Sequence, residues 1–234
     1  MSNIHLSAVL LALALAGILP STGAAQAVPD SMNGLPLIYT EDFESGMDGW
    51  EATDQSAWEV VEEDGNYVLS LERQSEYEPP VRSPYNMVLV EDLWVSDFVV
   101  EAQLKSTTED YNHRDMCIFY GWQDPAHFYY THIALNSDPH ANSIFLVNDA
   151  PRVSIANWRT GGTRWKDDTY HTVRIVRDTD MGTIAVYFDD MERPIMVAED
   201  THFRMGRVGF GTFDDTGRID NVRVWGRRAG EMTR

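Results

Sequence analysis

The sequence predicts an all-β protein built as a two-sheet antiparallel β-sandwich of the jelly-roll type. About a dozen short segments are rich in β-branched and aromatic residues, and turn signals separate them at regular spacing. No segment has the periodicity of an amphipathic helix. So many strands in one domain-sized chain favour two stacked sheets.

Turn chemistry and alternation support the individual strands. Asp64-Gly65 joins residues 58–63 to residues 67–72, and an Asp-Gly pair is a strong signal for a tight hairpin. Residues 170–177 (YHTVRIVR) alternate cleanly, which is typical of a strand with one buried face. The other predicted strands are residues 37–43, 85–90, 98–104, 115–122, 127–135, 143–148, 152–157, 183–188, 207–213 and 219–225.

The chain begins with a predicted signal peptide at residues 1–27. This stretch has no charged side chain, carries the apolar run LSAVLLALALAGILP and ends on the small-residue pattern A-Q-A. The apolar run is shorter than the roughly 20 residues that a membrane-spanning helix needs. We therefore expect cleavage and a soluble, secreted or periplasmic protein. The remaining predicted parts are a lead at residues 28–36, the sandwich at residues 37–226 and a flexible basic tail at residues 227–234.

Charge and cysteine content exclude some classes of function. The formal net charge is −19, from 18 Lys and Arg against 37 Asp and Glu. Such acidity argues against nucleic acid and anionic membrane surfaces as partners, because both need a basic patch. The one cysteine, Cys117, allows no internal disulfide, and its strand context predicts a small buried side chain. We expect no organic cofactor.

Several stretches resemble a known superfamily. They are EDFESGMDGW at residues 41–50, HTVRIVR at residues 171–177, VYFDD at residues 186–190 and GRVGFGTFDDTGRIDNVRV at residues 206–224. Together they resemble the concanavalin A-like lectin/glucanase superfamily, in its laminin-G-like or 3-keto-disaccharide-hydrolase-like branch. The resemblance implies a concanavalin A-like jelly roll that engages carbohydrate. The E-x-D-x-E catalytic strand of the β-glucanases is absent, and this superfamily contains lectins, hydrolases, lyases and adhesion modules.

Residues 111–151 form the predicted functional region. Its two long strands carry aromatic side chains on both faces, whereas an ordinary surface hairpin has one polar face. Sugars suit such a surface, because their apolar ring faces stack on aromatic side chains and a few polar groups fix their hydroxyls. The alternative is that residues 158–168 cover the second face and make it core. The predicted substrate-binding residues are Tyr120, Trp122, His127 and Tyr129.

The same region offers candidate catalytic residues. Tyr130 or His132 would abstract a proton from a sugar carbon, and Arg114 or Asn148 would stabilise the enolate-like charge. This hypothesis predicts a glycan lyase or hydrolase, although no carboxylate pair has a diagnostic spacing. The alternative is a non-catalytic glycan-binding module with a structural calcium ion. A third possibility is an adhesion or scaffold protein without a sugar site.

A calcium site is predicted where the chain ends meet. Asp42 and Glu44 flank the end of the first strand, and Asp220 lies in the last strand. These two strands run side by side in a jelly roll, so the three carboxylates could surround one Ca²⁺, which takes roughly six to eight oxygen ligands. The superfamily resemblance also implies a structural calcium ion. The spacings of the histidines in residues 111–151 match no standard zinc motif.

Overall fold

The computed structural model describes residues 27–165 and 168–229. The predicted signal peptide lies outside this range except for Ala27, as do residues 230–234 of the predicted tail. No helix in the described residues is long and apolar enough to cross a bilayer. The strands are β1 (Ser31–Met32), β2 (Leu35–Glu41), β3 (Trp50–Ala52), β4 (Trp58–Glu63), β5 (Asn66–Leu71), β6 (Asn86–Ser106), β7 (Asp115–Asp124), β8 (His127–Ala134), β9 (Ser143–Asn148), β10 (Val153–Ser154), β11 (Ala156–Arg159), β12 (His171–Asp178), β13 (Thr183–Phe188), β14 (Met196–Glu199), β15 (Gly206–Thr212) and β16 (Gly217–Arg228).

Strand β6 is 21 residues long and belongs to both sheets of the sandwich. Its first half pairs with β3 and β15, and its second half pairs with β12 and β16. The front sheet therefore has the order β10-β9-β8-β7-β15-β6-β3. The back sheet has the order β11-β14-β13-β12-β6-β16, with β2 and β5 on the far side of β16. The predicted sandwich is confirmed, but the strands predicted at residues 85–90 and 98–104 are one strand, because Leu93 and Val95 between them are also buried.

The main hydrophobic core lies between the two sheets. Alternate residues of the front strands point into it, and so do alternate residues of the back strands, as the period of a β-strand requires. The inward set from the front sheet includes Met116, Ile118, Tyr120, Tyr129, Ile133 and Ile144, and the set from the back sheet includes Val173, Ile175, Ile184, Val186, Val222 and Val224.

A second apolar cluster covers the outer face of the front sheet. Its buried members are Met87, Leu89, Cys117, Phe119, Phe128, Tyr130, Phe145 and Val147. Tyr77 and Val81 pack on it from residues 73–85, which we call the covering segment. The alternative reading, that this second face is covered, holds for these buried residues, but the cover is the segment with Tyr77 and Val81 and not residues 158–168. Part of that loop is strand β11, which pairs with β14 in the back sheet, and Trp165 is buried in the main core.

Both ends of the predicted sandwich extend further than the sequence indicated. Strand β1 falls within the predicted lead, and Pro29 accepts a hydrogen bond from the indole Nε1 of Trp225 at 2.8 Å. Strand β16 continues to Arg228, so the first two residues of the predicted basic tail are part of the sheet. Arg227 is fixed there by an ion pair with Asp97 at 2.8 Å. The predicted neighbourhood of the first long strand and the last strand is confirmed, since β2 pairs with β16.

Candidate functional site

A β-bulge near the end of β7 decides where Trp122 lies. The β7–β8 pairing is regular up to Tyr120 opposite Tyr129, and its register then shifts before Asp124. Gly121 within the bulge has a φ of 57°, a left-handed conformation that favours glycine. The bulge turns Trp122 onto the outer face, where it packs against the second apolar cluster. Strict strand alternation would put Trp122 on the face of Tyr120, and the bulge reverses this.

A cavity of about 180 Å³ opens beside Trp122 on this outer face. Strands β3 and β6, the covering segment and the β7–β8 turn contribute its walls. Met87 and Leu89 give it an apolar floor, while Glu51 and Thr53 contribute polar groups. The lining residues are Glu51, Ala52, Thr53, Tyr77, Met87, Leu89, Trp122 and Pro125.

Arg207 holds two of these lining residues in place. Its guanidinium carbon lies 5.1 Å from the centre of the Trp122 ring, which is cation–π geometry. Its Nη1 binds Oε2 of Glu51 at 2.7 Å, and its Nε donates to the carbonyl oxygen of Val90 at 2.9 Å. Arg207 is buried, so these contacts fix the positions of the indole and the carboxylate relative to each other.

Two aromatic residues at the cavity have unused hydrogen-bonding groups. The indole Nε1 of Trp122 and the hydroxyl of Tyr77 are both buried, and neither has a partner within the described part of the chain. Burial raises the pKa of Tyr77, so its hydroxyl stays protonated at neutral pH. A polyhydroxylated ligand could satisfy both groups.

Tyr120 and Tyr129, which were predicted to bind substrate, instead pack in the main core. Their rings stack with centroids 5.7 Å apart, and both side chains are fully buried. The Tyr129 hydroxyl donates to Asp200 and accepts from the backbone N–H of Phe203. Of the four residues in this prediction, Trp122 lines the cavity.

His127, the fourth of these residues, sits between two carboxylates. Its Nδ1 lies 2.8 Å from Asp124 and its Nε2 lies 3.1 Å from Asp149. The hydrogen bond to Asp124 is the main cause that raises the pKa of His127, and the contact with Asp149 adds to it. His127, the first residue of β8, is therefore held by these two carboxylates.

The four residues predicted for catalysis do not share one position. Arg114 is buried at the start of β7, where it donates to the hydroxyl and the carbonyl of Ser106. Asn148 lies at the opposite end of the sheet, paired with His127 in the β8–β9 register. This cation and this amide are thus separated by the length of a strand, and they cannot act on one sugar carbon.

Tyr130 and His132 lie together on the outer face, beneath other side chains. Their ring centroids are 6.4 Å apart, and Nη1 of Arg152 donates to the Tyr130 hydroxyl at 2.8 Å. Nδ1 of His132 accepts the backbone N–H of Asn142 at 3.3 Å. Burial, followed by the charge of Arg152, lowers the pKa of His132 to about 3. Both residues are buried, so a substrate does not reach them in this conformation.

Comparisons with known proteins identify the architecture. No protein-family model matches the chain, and no curated protein matches it. The carbohydrate binding module CBM66 from Bacillus subtilis superposes with a TM-score of 0.53 at 17% identity, over 76% of this chain and 95% of that one. Lectin I-B4 from Griffonia simplicifolia, in its metal-free form, superposes with a TM-score of 0.51 at 13% identity, over 81% of this chain and 100% of that one. A protein of unknown function with a galectin-like fold from Bacillus subtilis superposes with a TM-score of 0.50 at 12% identity, over 82% of this chain and 97% of that one.

The fold is a concanavalin A-like jelly roll. At these identities the likeness establishes the architecture, and it agrees with the resemblance found in the sequence motifs. In this concanavalin A-like jelly roll the cavity beside Trp122 lies on the outer face of the front sheet, under the covering segment.

The carboxylates predicted to bind calcium are neighbours in this jelly roll, but they do not converge. Oδ2 of Asp220 accepts hydrogen bonds from the side-chain amides of Asn66 and Asn221, at 3.1 and 2.7 Å. Oε1 of Glu44 accepts the backbone N–H of Tyr67 at 3.0 Å, and Asp42 is exposed. Asp42, Glu44 and Asp220 are not among the convergent ligand groups of the described residues, and a calcium ion held by these three carboxylates stays a prediction.

Two other groups of ligand-type side chains do converge within the described residues. In each group the ligand atoms lie within 4.8 Å of one another. One group is Asp115, Cys117 and His132, and the other is Asp115, Asp214 and Asp215. No local sequence pattern predicts the second group, because Asp214 and Asp215 have the pattern of ordinary turn residues and lie about a hundred positions from Asp115.

Proposed function

We propose that this protein is a non-catalytic carbohydrate-binding module, which holds a single sugar ring or a chain end in the cavity beside Trp122. The observation that carries this proposal is the combination of an indole on the outer face, an apolar floor and a polar rim. A sugar presents an apolar ring face to such an indole and hydroxyls to the rim. Of the proteins that share the fold, CBM66 is named as a carbohydrate binding module and I-B4 as a lectin.

The size of the cavity supports a small ligand group. Its volume of about 180 Å³ is below the roughly 300–1,000 Å³ of pockets for drug-sized ligands. The unused Nε1 of Trp122 and hydroxyl of Tyr77 would bind sugar oxygens after a small movement of the covering segment. The carboxylate of Glu51 would accept hydrogen bonds from sugar hydroxyls at the rim.

Binding without catalysis fits the ionisable groups at the cavity. Glycosidases commonly use two carboxylic acids on either side of the scissile bond. Glu51 is the one carboxylic acid among the residues that line this cavity. The predicted bases Tyr130 and His132 are buried under Arg152 and its neighbours. The predicted signal peptide agrees with a role on glycans outside the cytoplasm, and secretion is part of this proposal.

The test is binding of the full chain to an array of neutral and acidic oligosaccharides, followed by calorimetry on the best ligand. Trp122→Ala should weaken affinity by about tenfold or more, because it removes the stacking surface. Trp158→Ala is the matched control, since Trp158 is 52% exposed on β11 of the back sheet. Loss of binding in the Trp158 variant with normal binding in the Trp122 variant would place the sugar elsewhere and refute the site.

The same ligands should be assayed for products, because release would indicate an enzyme. New reducing ends would show a hydrolase, and an unsaturated product that absorbs in the ultraviolet would show a lyase. We expect neither with the intact chain. Turnover that His132→Ala or Arg114→Ala abolishes, in a variant that still folds, would restore the catalytic hypothesis.

A further inference from the structure

Three carboxylates meet at one end of the front sheet. Asp115 begins β7, and Asp214 and Asp215 lie in the loop between β15 and β16. One oxygen from each lies within 4.8 Å of the others. Asp115 has no exposed surface and Asp215 is 5% exposed, whereas Asp214 is open to solvent.

The hydrogen bonds around this group fix its orientation but bring no positively charged donor to it. Oδ2 of Asp115 accepts the backbone N–H of Phe213 at 3.0 Å and the thiol of Cys117 at 3.2 Å. Oδ1 of Asp115 has no partner in the described residues. Asp215 accepts the hydroxyl of Tyr111 at 2.8 Å and the backbone N–H of Asp115 at 2.7 Å. All of these donors are neutral.

We propose that Asp115, Asp214 and Asp215 bind a divalent cation of the Ca²⁺ type, with water completing its coordination. Two carboxylates buried side by side repel each other strongly unless a cation or a proton lies between them. Oδ1 of Asp115 is buried and has no hydrogen-bond partner in the described residues, and an oxygen of Asp115 lies within 4.8 Å of one oxygen each of Asp214 and Asp215. An all-oxygen ligand set suits a hard cation, and the exposed Asp214 gives it a route from solvent.

The neighbouring group of Asp115, Cys117 and His132 does not need a metal ion. Nδ1 of His132 accepts a backbone N–H, so the neutral ring carries its proton on Nε2, which faces Asp115 at 3.4 Å. The Cys117 thiol also donates toward Asp115. The thiol and the imidazole Nε2 thus both face Oδ2 of Asp115, and we assign the ion to the aspartates.

The ion site is connected to the covering segment. The backbone carbonyl of Asp215 accepts from Nδ2 of Asn86 at 3.2 Å, and Oδ1 of Asn86 accepts the backbone N–H of Ser75 at 2.7 Å. At the other end of the segment, the backbone N–H of Tyr85 donates to the carbonyl of Phe213 at 2.9 Å. An ion that orders the β15–β16 loop would thereby order both ends of the segment that supplies Tyr77. This coupling rests on the proposed carbohydrate function, whereas the ion site itself does not.

The experiment is calorimetric titration of the chelator-treated full chain with CaCl₂, with terbium luminescence as a second readout. Tyr111 contacts Asp215, so its excitation should sensitise a bound Tb³⁺. We expect one site with a Kd on the order of 10⁻⁴–10⁻³ M, the range of extracellular calcium modules. Asp214→Asn and Asp215→Asn should each weaken binding by about tenfold or more. Asp214 is exposed, so its variant keeps the test valid even if the Asp215 variant folds poorly.

Asp42→Asn is the matched control, because Asp42 belongs to the calcium site that the sequence predicted at the chain ends. Its variant should bind Ca²⁺ like the unmodified chain. Loss of binding in that variant, or absence of both heat and a melting shift with Ca²⁺, would overturn the proposal. Zn²⁺ binding that Cys117→Ser abolishes, without any Ca²⁺ binding, would also overturn it in favour of the other group.

Sugar affinity should be measured with Ca²⁺ and with chelator. This comparison tests the coupling between the ion and the covering segment separately from the existence of the ion site. We expect weaker sugar binding in chelator. Equal sugar affinity in both would refute the coupling and leave the ion site standing. Calcium binding in a chain that binds no oligosaccharide would refute the proposed function alone.

Discussion

The guanidinium of Arg207 lies against the Trp122 ring on one side and binds the Glu51 carboxylate on the other. This one buried side chain joins β15, β7 and β3, three strands that are far apart in the sequence. The stacking surface and the carboxylate of the proposed sugar site therefore depend on it.

Arg207→Lys should destabilise the protein and impair sugar binding. Lysine keeps the positive charge near Glu51, but it loses the planar guanidinium and the Nε–H that Val90 accepts. A buried carbonyl left without its donor costs about 1–3 kcal/mol, which urea unfolding measures. Arg204→Ala is the control, because Arg204 pairs with Asp180 at the surface and should cost less than about 1 kcal/mol. Equal stability of the two variants would contradict the central role of Arg207.

Gly206→Ala should disturb the bulge that positions Trp122. A Cβ at Gly206 in β15 would overlap the backbone of Gly121 in β7. Neither strand can move away without a change in strand pairing. We expect a loss of about 1–3 kcal/mol in unfolding free energy and weaker sugar binding. Gly161→Ala should be close to neutral, because a Cβ there meets nothing within 4 Å. An unchanged melting temperature for the Gly206 variant would show that the bulge does not need this close approach.

Tyr129→Phe should lower stability but leave sugar affinity unchanged. The Tyr129 hydroxyl bonds to Asp200 and to the backbone of Phe203 inside the protein, far from the cavity lining. The backbone N–H of Phe203 would lose its acceptor, which should cost about 1–3 kcal/mol, whereas Asp200 keeps its contacts with His202. Tyr67→Phe, at a 44% exposed residue, is the control and should be neutral. A specific loss of sugar affinity in the Tyr129 variant would reinstate this residue as a ligand contact.

Glu63 should make the protein sensitive to acid. Burial raises the pKa of Glu63, but hydrogen bonds from Lys105, Tyr170 and Arg218 lower it by more. The net effect brings the pKa from 4.5 to about 2. Because the pKa is lower in the folded chain, this contribution is present above about pH 4.5 and is lost as the pH falls through about 2. Glu63→Gln should therefore lose less stability than the unmodified chain between these pH values, as measured by chemical denaturation.

The control for this pH profile is Glu59→Gln, since Glu59 is exposed on the same strand. Its profile should match that of the unmodified chain. If Glu63→Gln showed the same acid sensitivity as this control, the ion-paired cluster around Glu63 would not be the cause.

The sequence by itself determined the fold class and most strand positions. Alternation and turn residues are local properties, so the hairpin at Asp64-Gly65 and the strand at residues 171–178 could be predicted from short windows. The pairing of β2 with β16 also followed from the jelly-roll architecture. These features depend on neighbours along the chain or on a topology shared by the whole fold.

Only the tertiary structure decided which face of β7 and β8 packs against the back sheet in the main core. Both faces are apolar, so alternation groups Tyr120 with Ile118 but cannot say which group points inward. The bulge at Gly121 then moved Trp122 to the other face, because one register shift reverses the direction of the side chains that follow. The aspartate group likewise arises where strand pairing brings the start of β7 and the β15–β16 loop together across about a hundred residues, a long-range contact that no local pattern encodes.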